Sequence, residues 1–302
     1  MQLGMIGLGR MGGNMTERLL RTGHEVVAFD PSADAVSHVE AKGAVGAGSL
    51  DVLVDALTVP RTMWVMVPSG DVTEQTVQQL SMLLQAGDTV IDGGNSNYRE
   101  SQRRAAALAG KGIDFLDCGT SGGVWGLQNG YCLTIGGSRE AYERNRPIFD
   151  SLAPAETPGG LYVGPSGSGH YVKMIHNGIE YGLMQAYVEG FELLAAKEFG
   201  LDLHAIAENW RYGSVIRSWL LDLVADQLEQ EPGLESLSSY VDDSGEGRWT
   251  VQESVDLAVP TPVITAALHA RFRSRQDNPL GGRMLSAMRR GFGGHAVKKA
   301  DK

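Results

Sequence analysis

Residues 1–12 read MQLGMIGLGRMG, an apolar run that leads directly into a turn with the spacing GxGxxG. The apolar run predicts a buried strand, and the residues after the turn predict a helix over 14–21. In such a unit the first glycine permits a tight turn, the second lets the backbone approach a pyrophosphate, and the third lets helix and strand pack closely. We therefore predict that a dinucleotide binds at this turn, on Gly7, Leu8, Gly9, Arg10, Met11 and Gly12.

An acidic residue follows the second predicted strand, Glu25–Phe29. This residue is Asp30, 18 positions after Gly12. A carboxylate there accepts hydrogen bonds from an adenosine ribose diol and repels a 2′-phosphate, which favours NAD over NADP, although NADP stays possible. The alternative is that Asp30 only begins a turn with Pro31 and Ser32.

Strand and helix patterns alternate to about residue 165 and then give way to helices alone. Further strands are predicted at 62–67, 89–92, 115–117, 131–136 and 161–164. Helices are predicted at 169–199, 202–212, 214–230, 249–258 and 261–276. The fold class is therefore α/β, with an N-terminal Rossmann-type doubly wound sheet followed by an all-helical C-terminal domain.

The domain boundary is predicted in the Gly/Pro/Ser run 164–169. Residues 1–165 then form the dinucleotide-binding domain, and residues 166–302 form a helical substrate and dimerisation domain with a basic tail. Nine basic residues lie between 271 and 302 against Asp277 and Asp301. This segment is either a solubility tail or part of a pocket for an anionic small molecule.

Composition limits the remaining classes of function. The net charge of −10 argues against a nucleic-acid partner. The chain has no run of 18 apolar residues and no basic, apolar leader, so we expect no membrane partner and a cytoplasmic location. Cys118 and Cys132 have no ligand or redox spacing, so we interpret them as reduced core residues and expect no metal site.

Three loops at carboxyl ends of predicted strands carry candidate binding groups. They are Val67-Pro68-Ser69, the sequence IDGGNS at 91–96 with Asn95, and the amide-rich run Gly119-Thr120-Ser121-Gly122-Gly123. In the second loop the two glycines are predicted to leave room for a ligand. Each loop alone is compatible with an ordinary turn, but together they outline one crevice.

Four polar groups fall on one face of the long predicted helix. At about 100° per residue, an amine, an imidazole, an amide and a carboxylate form one stripe, and the side chains are Lys173, His176, Asn177 and Glu180. The alternative is a solvated helix face. Because the intervening residues are apolar, the pattern favours the wall of an active site.

These motifs resemble those of the decarboxylating 6-phosphogluconate dehydrogenases over essentially the whole chain. The matching segments are GLGRMG at 7–12, IDGGNS at 91–96, SGG at 121–123, GSGHYVKMIHNGIEYG at 167–182, GEGRWT at 245–250 and RRGFGGH at 289–295. The combination of HNGIEYG with IDGGNS is specific, whereas the nucleotide motif is shared by related β-hydroxyacid dehydrogenases. The chain length is similar to the short bacterial branch of the family.

The resemblance implies oxidative decarboxylation of 6-phosphogluconate to ribulose 5-phosphate and CO2 with reduction of NAD(P), in the pentose phosphate pathway and gluconate utilization. Lys173 would be the base and Glu180 the acid that protonates the enediol. Val67, Pro68 and Asn95 would contact the cofactor. Substrate contacts would come from Asn95, Ser121, Gly122, Gly123, His176, Asn177, Tyr181, Arg271, Arg289 and His295.

Phosphate recognition departs from the family pattern, because Ser244 stands where the long enzymes have a phosphate-binding lysine. Arg248 or Arg290 is a candidate replacement, and Arg289 and His295 would reach into a neighbouring subunit of a homodimer or homotetramer with shared active sites. Residues 291–294 are predicted to be too flexible to position that segment without a partner surface. The other basic residues, Arg273, Arg275 and Arg283, are interpreted as surface side chains.

Two other functions stay open. One is a dehydrogenase for a smaller, non-phosphorylated β-hydroxyacid. The other is a catalytically inert nucleotide-sensing protein, against which the presence of both Lys173 and Glu180 argues.

Overall fold

A computed structural model of the chain describes residues 1–293, 296 and 298. These residues form two compact units, Met1–Asn177 and Gly178–Lys302. The division falls inside one long helix. The predicted boundary at residue 165 stays a prediction.

The first unit alternates strands with helices. Its strands are β1 (Gln2–Ile6), β2 (Glu25–Phe29), β3 (Val45–Gly46), β4 (Thr62–Val65), β5 (Thr89–Asp92), β6 (Asp114–Ser121), β7 (Cys132–Gly136) and β8 (Leu161–Gly164). Its helices are α1 (Arg10–Arg21), α2 (Ala33–Glu40), α3 (Leu50–Asp55), α4 (Asp71–Leu83), α5 (Tyr98–Ala109), α6 (Gly126–Asn129) and α7 (Arg139–Leu152). Helix α8 (Ser168–Ala196) follows and continues into the second unit.

The strands form one sheet in the order β3-β2-β1-β4-β5-β6-β7-β8. All neighbours are parallel except β6 and β7, which are antiparallel. The strand order reverses between β1 and β4, the point where doubly wound sheets bind ligands at the carboxyl ends of the strands. The predicted fold class is confirmed.

Two apolar clusters form the core of the first unit. One contains Met15 and Leu19 of α1 with Phe149 of α7, and the other contains Leu53 of α3 with Leu80 of α4. Both draw residues from the strands, because β1, β4 and β5 are almost entirely buried. A sheet covered by helices on both faces requires this pattern.

The second unit is helical in the part of the chain that the structure describes. After α8 come α9 (Leu203–Gly213), α10 (Trp219–Gln230), α11 (Glu246–Asp256), α12 (Pro262–Ser274) and α13 (Leu280–Gly293). Helices α9 and α10 enclose a small core that includes Ala207, Leu221 and Leu228. No helix among the described residues is long and apolar enough to cross a membrane.

Several local predictions were wrong. Strand β3 was missed because it has only two residues, and the helix predicted from 214 begins at Trp219, where Ser218 caps it. Helix α13 was also missed, and it continues to Gly293 through most of the segment predicted to be flexible. Cys118 of β6 is buried as predicted, but Cys132, the first residue of β7, is exposed.

Candidate active site

The three glycines of the GxGxxG turn have different surroundings. Gly7 has a φ of 90°, and a Cβ there would lie 2.3 Å from the carbonyl oxygen of Met66. A Cβ at Gly12 would lie 2.0 Å from the carbonyl oxygen of Gly7, whereas no atom lies within 4 Å of a Cβ at Gly9. Packing therefore requires the first and third glycines. The second leaves open space at the N-terminus of α1, where a pyrophosphate fits.

Asp30 follows β2 and binds this turn directly. Its Oδ2 accepts a hydrogen bond from the amide of Leu8 at 2.7 Å, and its Oδ1 accepts one from the amide of Ser32 at 2.8 Å. The carboxylate thus begins a local turn and also lies beside the glycine-rich turn. Of the other predicted cofactor residues, Arg10 is exposed and Met11 is partly buried on α1.

Val67 and Pro68 lie beyond the end of β4, next to the glycine-rich turn. A Cβ at Gly7 would lie 2.9 Å from Cγ1 of Val67, so these two residues are neighbours. Pro68 is exposed, and its carbonyl oxygen accepts a hydrogen bond from Thr73 Oγ1 at 2.8 Å. The bond fixes this loop on helix α4.

The loop after β5 is shaped by Asp92, which is fully buried. Its Oδ1 accepts a hydrogen bond from the amide of Gly94 at 3.2 Å, and the side chain of Asn95 is exposed. The prediction that the two glycines leave room for a ligand was wrong for Gly93. Both are buried, and a Cβ at Gly93 would lie 2.4 Å from Nε1 of Trp64, so protein packing requires at least the first.

A buried polar network supports the same loop. Oδ2 of Asp92 accepts a hydrogen bond from Ser96 Oγ at 2.7 Å and lies 3.4 Å from Nη1 of Arg104. Nε of Arg104 donates to Glu74 at 2.9 Å. Hydrogen bonds from Arg103 and then Arg104 hold the pKa of Glu74 at about 2. These ion pairs give the guanidinium of Arg104, which is 3% exposed, partners in the interior.

Residues 119–121 of the predicted carboxylate-binding loop belong to strand β6, and only Gly122 and Gly123 follow it. Strand β6 is the neighbour of β5, so these two glycines lie at the same edge of the sheet as the Asn95 loop. Ser121 ends the strand, half-buried. Gly122 and Gly123 have φ angles of 133° and 52°, which non-glycine residues rarely adopt. A short 3₁₀ turn, Gly123–Trp125, follows.

Asp117 on β6 is a site residue that the sequence reasoning missed. It is fully buried, and its carboxylate accepts hydrogen bonds from the amides of Gly167 at 2.6 Å and His170 at 2.9 Å. It thereby satisfies amides at the start of α8, which carries Lys173. The only signal in the sequence was an acidic residue directly after the apolar pair Phe115-Leu116 of a predicted strand.

Close packing of α8 on the sheet depends on glycine. A Cβ at Gly119 of β6 would lie 2.5 Å from Cβ of Lys173, and a Cβ at Gly169 of α8 would lie 2.3 Å from the carbonyl oxygen of Asp117. Larger residues would push the helix away. The two glycines therefore determine how near the lysine stem lies to the strand that ends in Ser121.

Lys173, His176 and Asn177 form one hydrogen-bonded group, as the predicted stripe implies. Oδ1 of Asn177 accepts a hydrogen bond from Nζ of Lys173 at 2.7 Å and lies 3.0 Å from Nδ1 of His176. Asn177 is 8% exposed, Lys173 is half-buried and His176 is exposed. Glu180 lies about two turns further along α8, half-buried, in the second unit.

The second unit holds a separate polar cluster around Tyr181, which is 6% exposed. The guanidinium carbon of Arg271 lies 3.7 Å from the centre of the Tyr181 ring, a cation–π contact. The hydroxyl of Tyr181 accepts a hydrogen bond from the amide of Ser244 at 3.4 Å. Two of the predicted phosphate contacts, Tyr181 and Arg271, therefore lie together with Ser244.

Asp243 binds two arginines beside this cluster. Arg248 donates to both carboxylate oxygens, at 2.8 and 3.0 Å, and Arg275 donates to one of them at 2.7 Å. The interpretation of Arg275 as a surface side chain was wrong, because it is 21% exposed and held in this ion pair. Its partner lies 32 residues away, beyond the reach of any local pattern.

The remaining basic residues are dispersed. Arg273, Arg283, Arg289 and Arg290 are exposed, the last three on α13, and His295 lies outside the described residues. Among the residues described, no group of three His, Cys, Asp or Glu side chains could hold a metal ion.

Glu246 is a second buried acidic residue that the sequence did not reveal. It is 2% exposed in the first turn of α11, and neither carboxylate oxygen has a hydrogen-bond partner among the described residues.

The doubly wound sheet and its glycine-rich turn together define a dinucleotide-binding protein of the Rossmann type, with a helical second unit. Residues 2–163 match the family model of the NAD binding domain of 6-phosphogluconate dehydrogenase, and residues 169–279 match that of its C-terminal domain. The chain belongs to the 6-phosphogluconate dehydrogenase family, as its motifs predicted.

Individual relatives support this assignment. The chain is 47% identical over the full length of both proteins to the NAD⁺-dependent, decarboxylating 6-phosphogluconate dehydrogenase of Haloferax volcanii. It is 38% identical to the NADP⁺-dependent enzyme of Bacillus subtilis, over 90% of this chain but 61% of that longer protein. Relatives of the same family thus differ in coenzyme.

Solved structures agree in fold. The 6-phosphogluconate dehydrogenase of Plasmodium falciparum superposes with a TM-score of 0.84 at 25% identity, over all of this chain and 67% of that one. A 3-hydroxyisobutyrate dehydrogenase of Mycobacterium tuberculosis superposes with a TM-score of 0.71 at 22% identity, over 90% and 92% of the two chains. At that identity the second likeness concerns the fold alone.

Proposed function

We propose that this protein oxidises and decarboxylates 6-phosphogluconate to ribulose 5-phosphate and CO2, with NAD as the preferred coenzyme. The observation that carries the proposal is the bonded group of Lys173, His176 and Asn177 on a helix packed against β6. The proposal is also supported by the 47% identity between this chain and the NAD⁺-dependent, decarboxylating enzyme of Haloferax volcanii.

The residues around the glycine-rich turn fit the coenzyme. The space at Gly9 suits the pyrophosphate, the Asp30 carboxylate suits the ribose diol, and Val67 and Pro68 line the same edge of the sheet. Asn95 would contact both coenzyme and substrate. When bound, the coenzyme accepts the hydride from the substrate.

In the proposed chemistry, Lys173 removes the proton of the 3-hydroxyl as the hydride leaves. The resulting β-keto acid loses CO2, because the ketone accepts the electron pair of the breaking carbon–carbon bond. Lys173 returns its proton to the carbonyl oxygen, and Glu180 protonates C1 of the enediol. Asn177 holds the amine of Lys173 in place through the bond of 2.7 Å.

Substrate binding is assigned to three sets of groups. Ser121 and the amides of Gly122 and Gly123 bind the carboxylate, and His176 and Asn177 orient hydroxyl oxygens. For the phosphate, the proposed contacts are Tyr181, Arg271, Arg289 and His295.

We further propose a homodimer or homotetramer in which the C-terminal segment completes the site of a neighbouring subunit. Helix α13 supports this, because four of its large apolar side chains are more than half exposed, namely Leu280, Met284, Leu285 and Met288. An amphipathic helix exposing such residues usually has a partner surface.

Initial rates with 6-phosphogluconate and with NAD or NADP test the proposal. We expect turnover with both coenzymes, a higher kcat/KM with NAD, and a kcat at least about 100-fold lower in Lys173→Met. The replacement of a lysine by Ser244 favours a second candidate, a dehydrogenase of smaller acids. Equal kcat/KM with gluconate or 3-hydroxyisobutyrate would select that candidate, and binding of NAD without turnover of any acid would indicate a nucleotide sensor.

A further inference from the structure

Two arginines share one carboxylate immediately before Ser244. Arg248 binds both oxygens of Asp243, and Arg275 binds one. The Asp243 side chain is 3% exposed, and the hydrogen bonds from Arg248 and then Arg275 hold its pKa at about 2. The carboxylate is therefore ionised at neutral pH, and one negative charge faces two positive charges.

The geometry brings Arg248 alongside Ser244. Arg248 lies in the first turn of α11, and its side chain reaches back to Asp243, the residue before Ser244. Ser244 in turn contacts Tyr181 through its amide, and Tyr181 carries Arg271 on its ring. Ser244 thus lies between the Arg248 ion pair and the Tyr181 cluster.

Arg271 and Arg275 are engaged with the same segment. Arg271 donates to the carbonyl oxygen of Asp242, and Arg275 donates to that of Val241, each at 2.8 Å. Arg275 is 21% exposed, whereas Arg248 is 53% exposed. Arg248 is therefore the member of the ion pair with surface available to a ligand.

The segment also carries acidic groups that a phosphate must tolerate. Asp242 is exposed and Glu246 is buried, so two carboxyl groups accompany the Asp243 carboxylate. Arg271 alone does not offset a dianion in such surroundings. Arg289 and His295, the other proposed phosphate contacts, would come from a neighbouring subunit. Arg248 is therefore the further cation that this segment itself offers close to Ser244.

We propose that Arg248, positioned by Asp243 and Arg275, supplies a positive charge beside Ser244 for the phosphate of the substrate. The inference rests on the proposed function, since it assumes that the phosphate of the substrate binds at Tyr181 and Arg271. Arg248 is then a determinant of specificity for the phosphorylated over the unphosphorylated acid.

A charge-rescue experiment on the full-length protein tests this. Arg248→Gln should raise KM for 6-phosphogluconate about 10- to 100-fold, with kcat within about threefold and KM for NAD unchanged. Adding Ser244→Lys to that variant should bring KM for 6-phosphogluconate most of the way back to its unmutated value. Ser244→Lys alone should lower KM less than threefold. Arg248→Lys, which keeps the charge, should remain within about fivefold of the unmutated KM.

Arg273→Gln is the matched control, because Arg273 lies on α12, is exposed and donates to the carbonyl oxygen of Gln276. It should leave KM unchanged. An unchanged KM in Arg248→Gln, or an equal improvement by Ser244→Lys in both backgrounds, overturns the proposal. A normally folded, unmutated protein that fails to turn over 6-phosphogluconate overturns the proposed function instead.

Discussion

The carboxylate of Asp117 accepts a hydrogen bond from the backbone amide of His170 at 2.9 Å and so joins strand β6 to the first turn of helix α8. The strand ends in Ser121 of the proposed carboxylate-binding loop, and the helix carries Lys173. One buried side chain therefore links two elements of the candidate active site.

Replacing Asp117 by Asn should lower the free energy of unfolding by about 1.5–3 kcal/mol, because an amide nitrogen cannot accept the bond that a carboxylate oxygen accepts. Urea denaturation measures the change. Asp114→Asn on the same strand is the control, since the Asp114–Arg144 pair is partly exposed and should contribute less than about 1 kcal/mol. Equal losses in the two variants would contradict a special role for Asp117.

Lys173→Met and Glu180→Gln should fail at different steps. Without Lys173 the hydroxyl keeps its proton, so hydride transfer should slow at least roughly 10²–10⁴-fold and no burst of reduced coenzyme should form. Glu180→Gln should give a burst of reduced coenzyme followed by slow product formation. Rapid mixing with absorbance at the nicotinamide band distinguishes them, and a burst in the Lys173 variant would reject this division of roles.

Changing Asp30 to Asn together with Ser32 to Arg should shift coenzyme preference toward NADP by about 1–3 kcal/mol in kcat/KM. The double change removes a repulsion and adds a cation for the 2′-phosphate. It should also cost about 1 kcal/mol of stability, because Ser32 caps α2. Ser32→Arg alone is the control. A higher kcat/KM with NADP in the unmutated protein would refute the proposed preference for NAD.

Truncation after Leu285 should raise KM for 6-phosphogluconate strongly and leave NAD binding nearly intact, because it removes Arg289 and His295 but no part of the sheet. Mixing the truncated chain with the Lys173→Met chain should restore some activity through hybrid sites. Activity is measured before and after mixing. A fully active truncated protein or monomer is incompatible with a shared site.

The sequence alone predicted those features that depend on short spacing. Three such features are the GxGxxG turn, the strand before it and the polar face of α8 that carries Lys173. Each is defined by spacing within about a dozen residues, and each occurs in the structure where it was predicted. Their physical basis is local, since backbone conformation and helix periodicity place neighbours in the chain on one face.

The pairing of buried and charged groups depends on long-range contacts. Asp117 meets His170 across 53 residues, and Asp243 meets Arg275 across 32, so neither pairing leaves a local pattern. Gly93 was expected to leave room for a ligand, but the Trp64 ring occupies the space that a Cβ would need, so packing requires a glycine at this position. The amino-acid sequence by itself determined the fold class, the family and a set of candidate site residues that includes Lys173 and Asn177. Only the tertiary structure decided which groups are paired, because burial and ion pairing depend on neighbours that folding brings together.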